Sequence, residues 1–206
     1  MSMMGNKSLL LVFAKNPTLG KVKTRLAKSI GKEKALEIYK ALLKKTASVL
    51  EVLEVLEVDI HLYYSDYIEK DDFFSTIATQ KKTQTGKQLG ERMSNAFRES
   101  LISYDKVVII GTDLWTLETP DIKNAFKALE HHAAVIGPST DGGYYLLGLT
   151  EVMPQIFLNK QWGTSSVLPN TLRDLKSVKH HLLSEKNDID TFSDLEEHPT
   201  LKACIQ

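Results

Sequence analysis

Residues 9–27 read LLLVFAKNPTLGKVKTRLA, an apolar run that passes directly into a turn-rich, basic loop. Such a continuous apolar run is typical of a parallel strand that is covered on both faces, and open parallel sheets bind ligands beyond the carboxyl ends of their strands. The cations of the loop are Lys15, Lys21, Lys23 and Arg25. We therefore predict that a buried strand delivers these cations to an anion, most simply a phosphate.

The basic loop also has a plainer interpretation. Gly20 and the Asn16-Pro17 turn suit a backbone that points N–H donors at an anion. Surface lysines near turns are common, however, and the loop matches neither a Walker loop nor a dinucleotide-binding fingerprint. An ordinary solvated loop stays an open alternative.

Length and composition bound the kind of protein. The 206 residues suit one domain over 1–206, and 26 basic residues balance 26 acidic ones. This balance argues against a protein that binds nucleic acid through a global positive field. Cys204 is the single cysteine, and no apolar run approaches the roughly 18 residues of a membrane span. The N-terminus resembles the start of a strand rather than a signal peptide, so we expect a cytoplasmic protein.

Hydrophobic spacing predicts helices that alternate with strands. Helical periodicity covers residues 31–58 and 89–102, Thr119-Pro120-Asp121 predicts a helix start with Thr119 as the cap, and residues 191–194 form a capping box. Apolar or alternating runs predict strands at 58–64, 106–110, 133–137, 144–149 and 178–183. Residues 66–87 predict either a weak edge strand or a mobile loop. This alternation favours an α/β sandwich around a mostly parallel sheet.

A carboxylate follows the strand at 106–110. Asp113 comes directly after Ile110-Gly111-Thr112, at the edge of the sheet where ligands bind. Mg²⁺ takes carboxylate and phosphate oxygens together, so Asp113 is a candidate metal ligand. Capping of a turn is the alternative role.

A second acidic cluster follows the last predicted strand. It contains Asp188, Asp190 and Asp194, and any of them could supply a second carboxylate to a metal ion that phosphates complete. A turn at Asp188 and a helix cap at Asp194 are equally good interpretations.

Paired glycines lie between the strands at 133–137 and 144–149. Gly142 and Gly143 permit close approach of the backbone to a bound molecule, although Asp141-Gly142 is also a strong hairpin signal. Trp162 begins a segment that suits either a binding loop or a packing anchor. The six histidines show no metal-binding spacing.

Several segments together resemble a bacterial family of small glycosyltransferase-A-type proteins, described as uncharacterised or as selenium/radical-enzyme-associated transferases. The resembling segments are residues 13–27, 84–93, 110–113 and 137–149. The relatives of this family are nucleotide-diphospho-sugar transferases, among them the guanylyltransferases of molybdopterin and deazaflavin cofactor assembly. The resemblance implies their three-layer α/β/α sandwich with a mostly parallel, mixed central sheet.

The resemblance also implies roles for individual residues. It implies a nucleotide beneath the first loop and a Mg²⁺ or Mn²⁺ ion on the phosphates. The implied nucleotide-binding residues are Lys15, Gly20, Lys23, Arg25, Gly90, Arg92, Gly142 and Gly143. Asp113 and Asp190 would hold the metal, and Asp141 would face the acceptor as a general base.

Three functional hypotheses follow. The first is metal-dependent transfer of a sugar from a nucleotide-diphosphate sugar to a hydroxyl acceptor. The second is nucleotidyl transfer from a nucleoside triphosphate to a phosphate-bearing acceptor, with release of pyrophosphate. The third is an inactive nucleotide-binding module, because the chain has Leu114-Trp115 where the family has Cys-Pro. The expected partners are the nucleotide and a small-molecule acceptor, with no nucleic acid and no membrane span; a homodimer stays open.

Overall fold

The computed structural model describes residues 7–53 and 57–205, and these residues form one seven-stranded sheet with the order β3-β2-β1-β4-β6-β5-β7. The strands are β1 (Ser8–Ala14), β2 (Val58–Tyr64), β3 (Gln80–Thr83), β4 (Lys106–Ile110), β5 (Ala134–Pro138), β6 (Tyr144–Leu149) and β7 (His180–Leu182). Neighbours pair in parallel except at β6, which runs antiparallel to both β4 and β5. The predicted mostly parallel, mixed sheet is confirmed.

Helices cover both faces of the sheet. They are α1 (Thr24–Ile30), α2 (Lys32–Glu51), α3 (Leu89–Ser100), α4 (Thr119–Ala128), α5 (Val167–Asp174), α6 (Phe192–Glu196) and α7 (Pro199–Lys202), with 3₁₀ turns at Pro154–Phe157 and Ala203–Ile205. One apolar core packs the sheet against α1, α2, α4, α6 and α7. A second core packs the other face against α3, α5 and the turn at Pro154–Phe157. The three-layer sandwich is therefore confirmed.

The apolar run of β1 feeds both cores. Leu10 and Val12 belong to the first core, Leu9 and Leu11 belong to the second, and all four are fully buried. Successive side chains of a strand point to opposite faces, so a strand covered on both faces needs an apolar residue at every position. This is why the run is continuous rather than alternating.

Hydrogen bonds account for two departures from the predicted helix boundaries. Helix α2 ends at Glu51 rather than at residue 58, because the chain tightens into a turn in which the Leu53 N–H donates to the Leu50 carbonyl at 2.8 Å. Residues 54–56 of the predicted helix, like residues 1–6 of the N-terminus, lie outside the described residues. The cap of α4 is Glu118 rather than Thr119, and the Glu118 N–H donates to Asp121 Oδ2 at 2.8 Å.

The polar segment at 66–87 contains the edge strand β3, which pairs with β2. Of the two alternatives open for this segment, the edge strand is the one observed. Within residues 7–53 and 57–205, no helix combines the length and the apolar character that a bilayer span requires.

Strand direction determines which loops meet at the carboxyl edge of the sheet. β1 and β4 end there side by side, with Val12 opposite Ile110. Since β6 runs the other way, it begins at this edge, and Leu146 lies opposite Ile110. The turn at 139–143 between β5 and β6 therefore lies beside the loops that follow β1 and β4.

Candidate active site

A polar cavity of about 210 Å³ opens where β1 and β4 end. Its lining residues are Lys15, Val22, Lys23, Thr24, Arg25, Tyr39, Asp113 and Asp190. Three of the predicted cations thus meet both of the predicted metal-binding acids. We call this space the polar cavity.

Lys23 lies between the two acids. Its Nζ forms an ion pair with Asp113 Oδ1 and is 3.2 Å from Asp190 Oδ1, while only 3% of its side chain is exposed. Burial alone would lower the pKa of Lys23, but the charges of Asp113 and Asp190 and their hydrogen bonds raise it above the usual value. Lys23 is therefore a fully charged ammonium that bridges two carboxylates.

The backbone of Lys23 is unusual as well. It adopts the left-handed conformation with φ 46° and ψ 46° directly before α1. A residue with a Cβ pays roughly 1–2 kcal/mol for this conformation. The same residue therefore combines a strained backbone with a buried side chain that forms two ion pairs. Both its backbone and its side chain are held in one conformation.

Asp113 is held by its neighbours in the chain and by the C-terminal segment. Leu114 is buried in the first core, and the Ile189 N–H donates to the Asp113 carbonyl at 3.0 Å. Burial would raise the pKa of Asp113, but the ammonium of Lys23, helped by the charge of Lys15, holds it below the usual range. Leu114, the first of the two residues at which this chain departs from the resembling family, thus packs in the core and fixes the position of the chain next to Asp113.

Tyr39 of α2 orders this corner of the site. Its hydroxyl accepts a hydrogen bond from the Lys15 N–H at 2.8 Å, donates to the Lys15 carbonyl at 3.1 Å and lies 3.1 Å from Thr112 Oγ1. One buried hydroxyl therefore ties the loop after β1 to the loop after β4. Sequence reasoning missed this role because Tyr39 falls on the apolar stripe of α2, where a packing role is the expected one.

The other residues of the basic loop differ in their placement. The guanidinium of Arg25 is 3.8 Å from Asp190 Oδ2 and is largely exposed, so it is free to face a ligand. Gly20 has φ +75° and shapes the turn in which the Lys21 N–H donates to the Thr18 carbonyl at 3.0 Å. Neither Gly20 nor the exposed Lys21 lines the polar cavity.

A second cavity of about 290 Å³ adjoins the first and shares Lys15 and Asp113 with it. We call it the aromatic cavity, because Phe13, Tyr144, Tyr145 and Trp162 are among its lining residues. Its acids besides Asp113 are Asp141 and Asp188. The carboxyl edge of the sheet therefore carries a charged compartment next to a largely apolar one.

Two of the predicted glycines approach atoms of the protein itself. A Cβ on Gly90 of α3 would lie 2.4 Å from Trp162 Nε1, so the indole rests directly on this helix. Gly142 has φ +85°, and a Cβ there would lie 2.5 Å from the Cα of Ser165. The lack of a side chain at both glycines lets the 162–166 loop pack closely beside the aromatic cavity.

Asp141 lies in the turn between β5 and β6. Its Oδ1 accepts a hydrogen bond from the Gly143 N–H at 2.8 Å, while the residue is exposed and lines the aromatic cavity. The hairpin that Asp141-Gly142 signals is present. The hairpin and the cavity wall are therefore the same structure.

Arg92 braces a loop. Its Nε donates to the Gly86 carbonyl at 3.0 Å and one terminal nitrogen donates to Gln84 Oε1 at 3.3 Å, and it lines neither cavity. Gln84 does line the aromatic cavity and donates to the Ala14 carbonyl at 3.3 Å. Arg92 thus reaches the site through Gln84.

Asp188 and Asp194, the other acids of the C-terminal cluster, have different surroundings. Asp188 lines the aromatic cavity; burial, together with the nearby charge of Asp113, raises its pKa to about 7. Asp194 Oδ2 accepts from the N–H groups of Thr191 at 2.6 Å and Asp190 at 3.0 Å, so Asp194 caps α6 as the capping box predicts. Sequence reasoning left Asp188 between a turn and a ligand, since its contact with Ser139 of the distant β5–β6 turn, whose hydroxyl donates to Asp188 Oδ2 at 3.4 Å, is not local in sequence.

The two acids of the polar cavity fit a divalent cation in one respect. Their Oδ1 atoms both contact a single ammonium nitrogen, so hard oxygen donors converge on one point. Among the residues the structure describes, no group of three or more His, Cys, Asp or Glu side chains is arranged to hold a metal. Two carboxylates would therefore need phosphate oxygens to complete a Mg²⁺ or Mn²⁺ shell.

Comparison with a family profile identifies the relatives of the chain. The profile described as "Uncharacterized protein conserved in bacteria (DUF2064)" matches residues 48–164, more than half of the chain. The chain belongs to the DUF2064 family. No match was found among curated proteins.

Solved structures extend the comparison of this DUF2064 protein. It is 32% identical to a candidate nucleotide-diphospho-sugar transferase from Desulfovibrio desulfuricans G20, with a TM-score of 0.81 over 91% of this chain and 84% of that one. The 4-diphosphocytidyl-2C-methyl-D-erythritol synthase from Anaerococcus prevotii DSM 20548 is 9% identical, with a TM-score of 0.60 over 93% and 96% of the two chains.

A third similar structure is a CMP:2-keto-3-deoxy-manno-octonic acid synthetase complexed with CTP. It is 10% identical, with a TM-score of 0.58 over 96% of this chain and 98% of that one. At such low identity these two synthetases share only their fold with the DUF2064 protein. The fold is that of the nucleotide-diphospho-sugar transferases, as the resemblance implies.

Proposed function

We propose that this DUF2064 protein is a transferase that takes a sugar from a nucleotide-diphosphate sugar and passes it to a hydroxyl acceptor. The observation that carries the proposal is the meeting of Lys15, Lys23 and Arg25 with Asp113 and Asp190 in the polar cavity. The relative that is 32% identical, a candidate nucleotide-diphospho-sugar transferase, supports the same class of reaction.

The polar cavity suits the diphosphate. It offers the exposed guanidinium of Arg25 and the side chain of Lys15, and α1 begins beside it at Thr24. Guanidinium and ammonium groups form short, charge-assisted hydrogen bonds with phosphate oxygens. In this assignment, these residues bind the two phosphates and neutralise the charge that grows on them when the sugar leaves.

The aromatic cavity suits the sugar and the acceptor. Aromatic rings with a few polar groups at the edge are typical of small-molecule sites. Because the cavity shares Lys15 and Asp113 with the polar cavity, a ligand there adjoins the diphosphate. Asp141 then accepts the proton of the acceptor hydroxyl as its oxygen attacks the anomeric carbon and the bond to the diphosphate breaks.

Asp113 and Asp190 would hold a Mg²⁺ or Mn²⁺ ion together with the phosphates. When bound, such an ion supplies Lewis-acid stabilisation of the leaving diphosphate. The burial of Leu114 and the hydrogen bond between Asp113 and Ile189 keep the acid loop in place, which argues against an inactive module.

Nucleotidyl transfer is the second candidate. The same cavity would bind a triphosphate, and the acceptor would carry a phosphate that attacks the α-phosphorus. The low-identity synthetases share only the fold and do not decide between the two reactions. The kinship with cofactor guanylyltransferases and with radical-enzyme-associated transferases stays a prediction.

The test starts with ligands and ends with products. A thermal-shift screen with nucleoside diphosphates, nucleoside triphosphates and nucleotide sugars, each with and without Mn²⁺, should raise the melting temperature for one nucleotide class. Arg25→Gln should remove most of that shift, whereas Lys21→Met, an exposed change in the same loop, should keep it. Release of a nucleoside diphosphate supports sugar transfer, release of pyrophosphate supports nucleotidyl transfer, and no shift with any nucleotide contradicts both.

A further inference from the structure

Lys23 occupies the point at which the two acids would bind a divalent cation. Its Nζ contacts the same Oδ1 atoms, one on Asp113 and one on Asp190, that would be available to an ion between them. Mg²⁺ bonds oxygen at about 2.0–2.1 Å, so an ion bound to both atoms would lie in the space of the ammonium group.

Two cations do not share this space. The side chain of Lys23 is 3% exposed, so little water separates it from its surroundings and screens its charge. A divalent ion placed beside it would face a like charge at contact distance. Occupation by Lys23 and occupation by the metal ion therefore exclude each other.

The ammonium cannot simply leave the acids for the protein interior. A buried charge without a partner is strongly destabilising, so Lys23 needs another anion before it gives up Asp113 and Asp190. Lys23 lines the polar cavity together with Lys15 and Arg25, so a phosphate group in that cavity is within its reach. A ligand with a phosphate group therefore provides the replacement anion for Lys23 that the free protein lacks.

We infer that Lys23 is a resident cation that keeps divalent metal off Asp113 and Asp190 until a phosphate-bearing ligand binds. The ammonium would then move from the carboxylates to the phosphates, and Asp113 and Asp190 would be free to hold a divalent ion. This inference rests on the proposed function for its metal site, and it adds an order: the free protein has little affinity for Mg²⁺ or Mn²⁺, and the nucleotide brings the affinity with it.

The test uses the free protein and Mn²⁺ alone. Titration calorimetry and the electron paramagnetic resonance signal of free Mn²⁺ would measure the dissociation constant for wild type, Lys23→Met and Lys21→Met without nucleotide. Lys23→Met should bind Mn²⁺ at least about tenfold more tightly than wild type, because it frees two carboxylates. Lys21→Met should match wild type, and adding Asp113→Asn to Lys23→Met should abolish the gain.

Stability gives a second readout. Lys23→Met leaves two carboxylates facing each other, so its melting temperature should fall without metal and recover with Mn²⁺, which wild type should not show. Lys23→Gln keeps a hydrogen-bonding group without the charge and serves if Lys23→Met does not fold. Folding of either variant only in the presence of Mn²⁺ would support the exchange.

Three results would overturn the inference: wild type that binds Mn²⁺ as tightly as Lys23→Met, a folded Lys23→Met with no gain in affinity, or variants that Mn²⁺ does not restore. None of these depends on a sugar or an acceptor. Absence of sugar transfer would refute the proposed function but would leave the titration unchanged.

Discussion

The polar cavity and the aromatic cavity share Lys15 and Asp113, yet they are built in different ways. Most of the polar cavity comes from one short stretch, residues 15–25, to which Tyr39 and two acids are added. The aromatic cavity draws on β1, α3, β4, β6, α5 and six loops, and it depends on close contacts such as that of Trp162 with Gly90. The cations of the polar cavity come from one local stretch of the chain, whereas the shape of the aromatic cavity depends on the whole fold.

The largest expected effect comes from the acid that both cavities share. Asp113→Asn should lower the rate of nucleoside diphosphate release about 10²–10³-fold, because it removes one carboxylate from the cation site and leaves Lys23 with a single carboxylate partner. Steady-state kinetics with the nucleotide sugar found in the screen would measure it. The exposed acid Glu33, changed to Gln, is the control. If Asp113→Asn releases nucleoside diphosphate at a rate within roughly threefold of wild type, transition-state binding is nearly unchanged. Asp113 would then not be needed for the reaction.

A change at Gly90 should separate the aromatic cavity from the polar one. Gly90→Ala places a methyl group 2.4 Å from Trp162 Nε1, and we expect a loss of about 1–3 kcal/mol of unfolding free energy and a shifted tryptophan fluorescence spectrum. Gly111→Ala is the matched control, since a Cβ there meets nothing within 4 Å. Urea denaturation and fluorescence would check both. An unmoved spectrum would mean that the indole does not rest on α3.

The polar cavity has its own structural support in Tyr39. Tyr39→Phe removes a buried hydroxyl that bonds both backbone groups of Lys15, so it should cost about 1–2 kcal/mol of stability and weaken the nucleotide-induced thermal shift. Tyr104→Phe removes a hydroxyl that donates to the exposed Asp59 and should cost less. Equal costs for the two variants would contradict the role given to Tyr39.

The smallest expected effect concerns His61, which lines neither cavity, and its contribution to the pH dependence of stability. His61 of β2 is buried, and its Nδ1 has no hydrogen-bond partner among residues 7–53 and 57–205. Burial together with the charge of Lys82 lowers its pKa, outweighing the charges of Asp59 and Glu99. At this position the native state binds fewer protons than the unfolded state just below pH 6.5, so the contribution of His61 to stability falls as the pH falls, whereas the raised pKa of Asp188 acts in the opposite sense.

A variant without the imidazole should lose this dependence. Relative to wild type, His61→Phe should lose a positive contribution to the slope of unfolding free energy against pH between pH 7 and 5, which for one proton is at most about 1.4 kcal/mol per pH unit. The exposed His131, changed to Gln, is the control. If the slope of His61→Phe equals that of wild type, the buried His61 does not contribute to the pH dependence of stability.

The sequence predicts features that are local in the chain better than features that depend on the whole fold. The continuous apolar run of β1, the cations after it and Asp113 after β4 can be predicted because strand direction alone brings them to one edge. The capping box at Thr191 is likewise local. The pairing of Lys23 with both acids could not be predicted, since it depends on the path of the chain from β7 to α6 and on a left-handed backbone at a lysine.

The aromatic cavity was hardest to predict for a physical reason. Trp162 and Tyr144 lie edge to face with ring centroids 6.3 Å apart, although Tyr144 begins β6 and Trp162 lies in the loop before α5. Nothing in the local pattern distinguishes such a wall from an ordinary core contact. Arg92 illustrates the same limit, because its partners Gly86 and Gln84 are close in sequence but make it a brace rather than a ligand contact.

The reversed direction of β6 has a consequence for how such proteins can diversify. Because β6 starts where β4 stops, the turn before it, residues 139–143, borders the aromatic cavity and contributes Asp141. None of these turn residues lines the polar cavity. Evolution could lengthen or shorten this hairpin tip to suit a new acceptor at the proposed site, without changing the cavity that we propose binds phosphate.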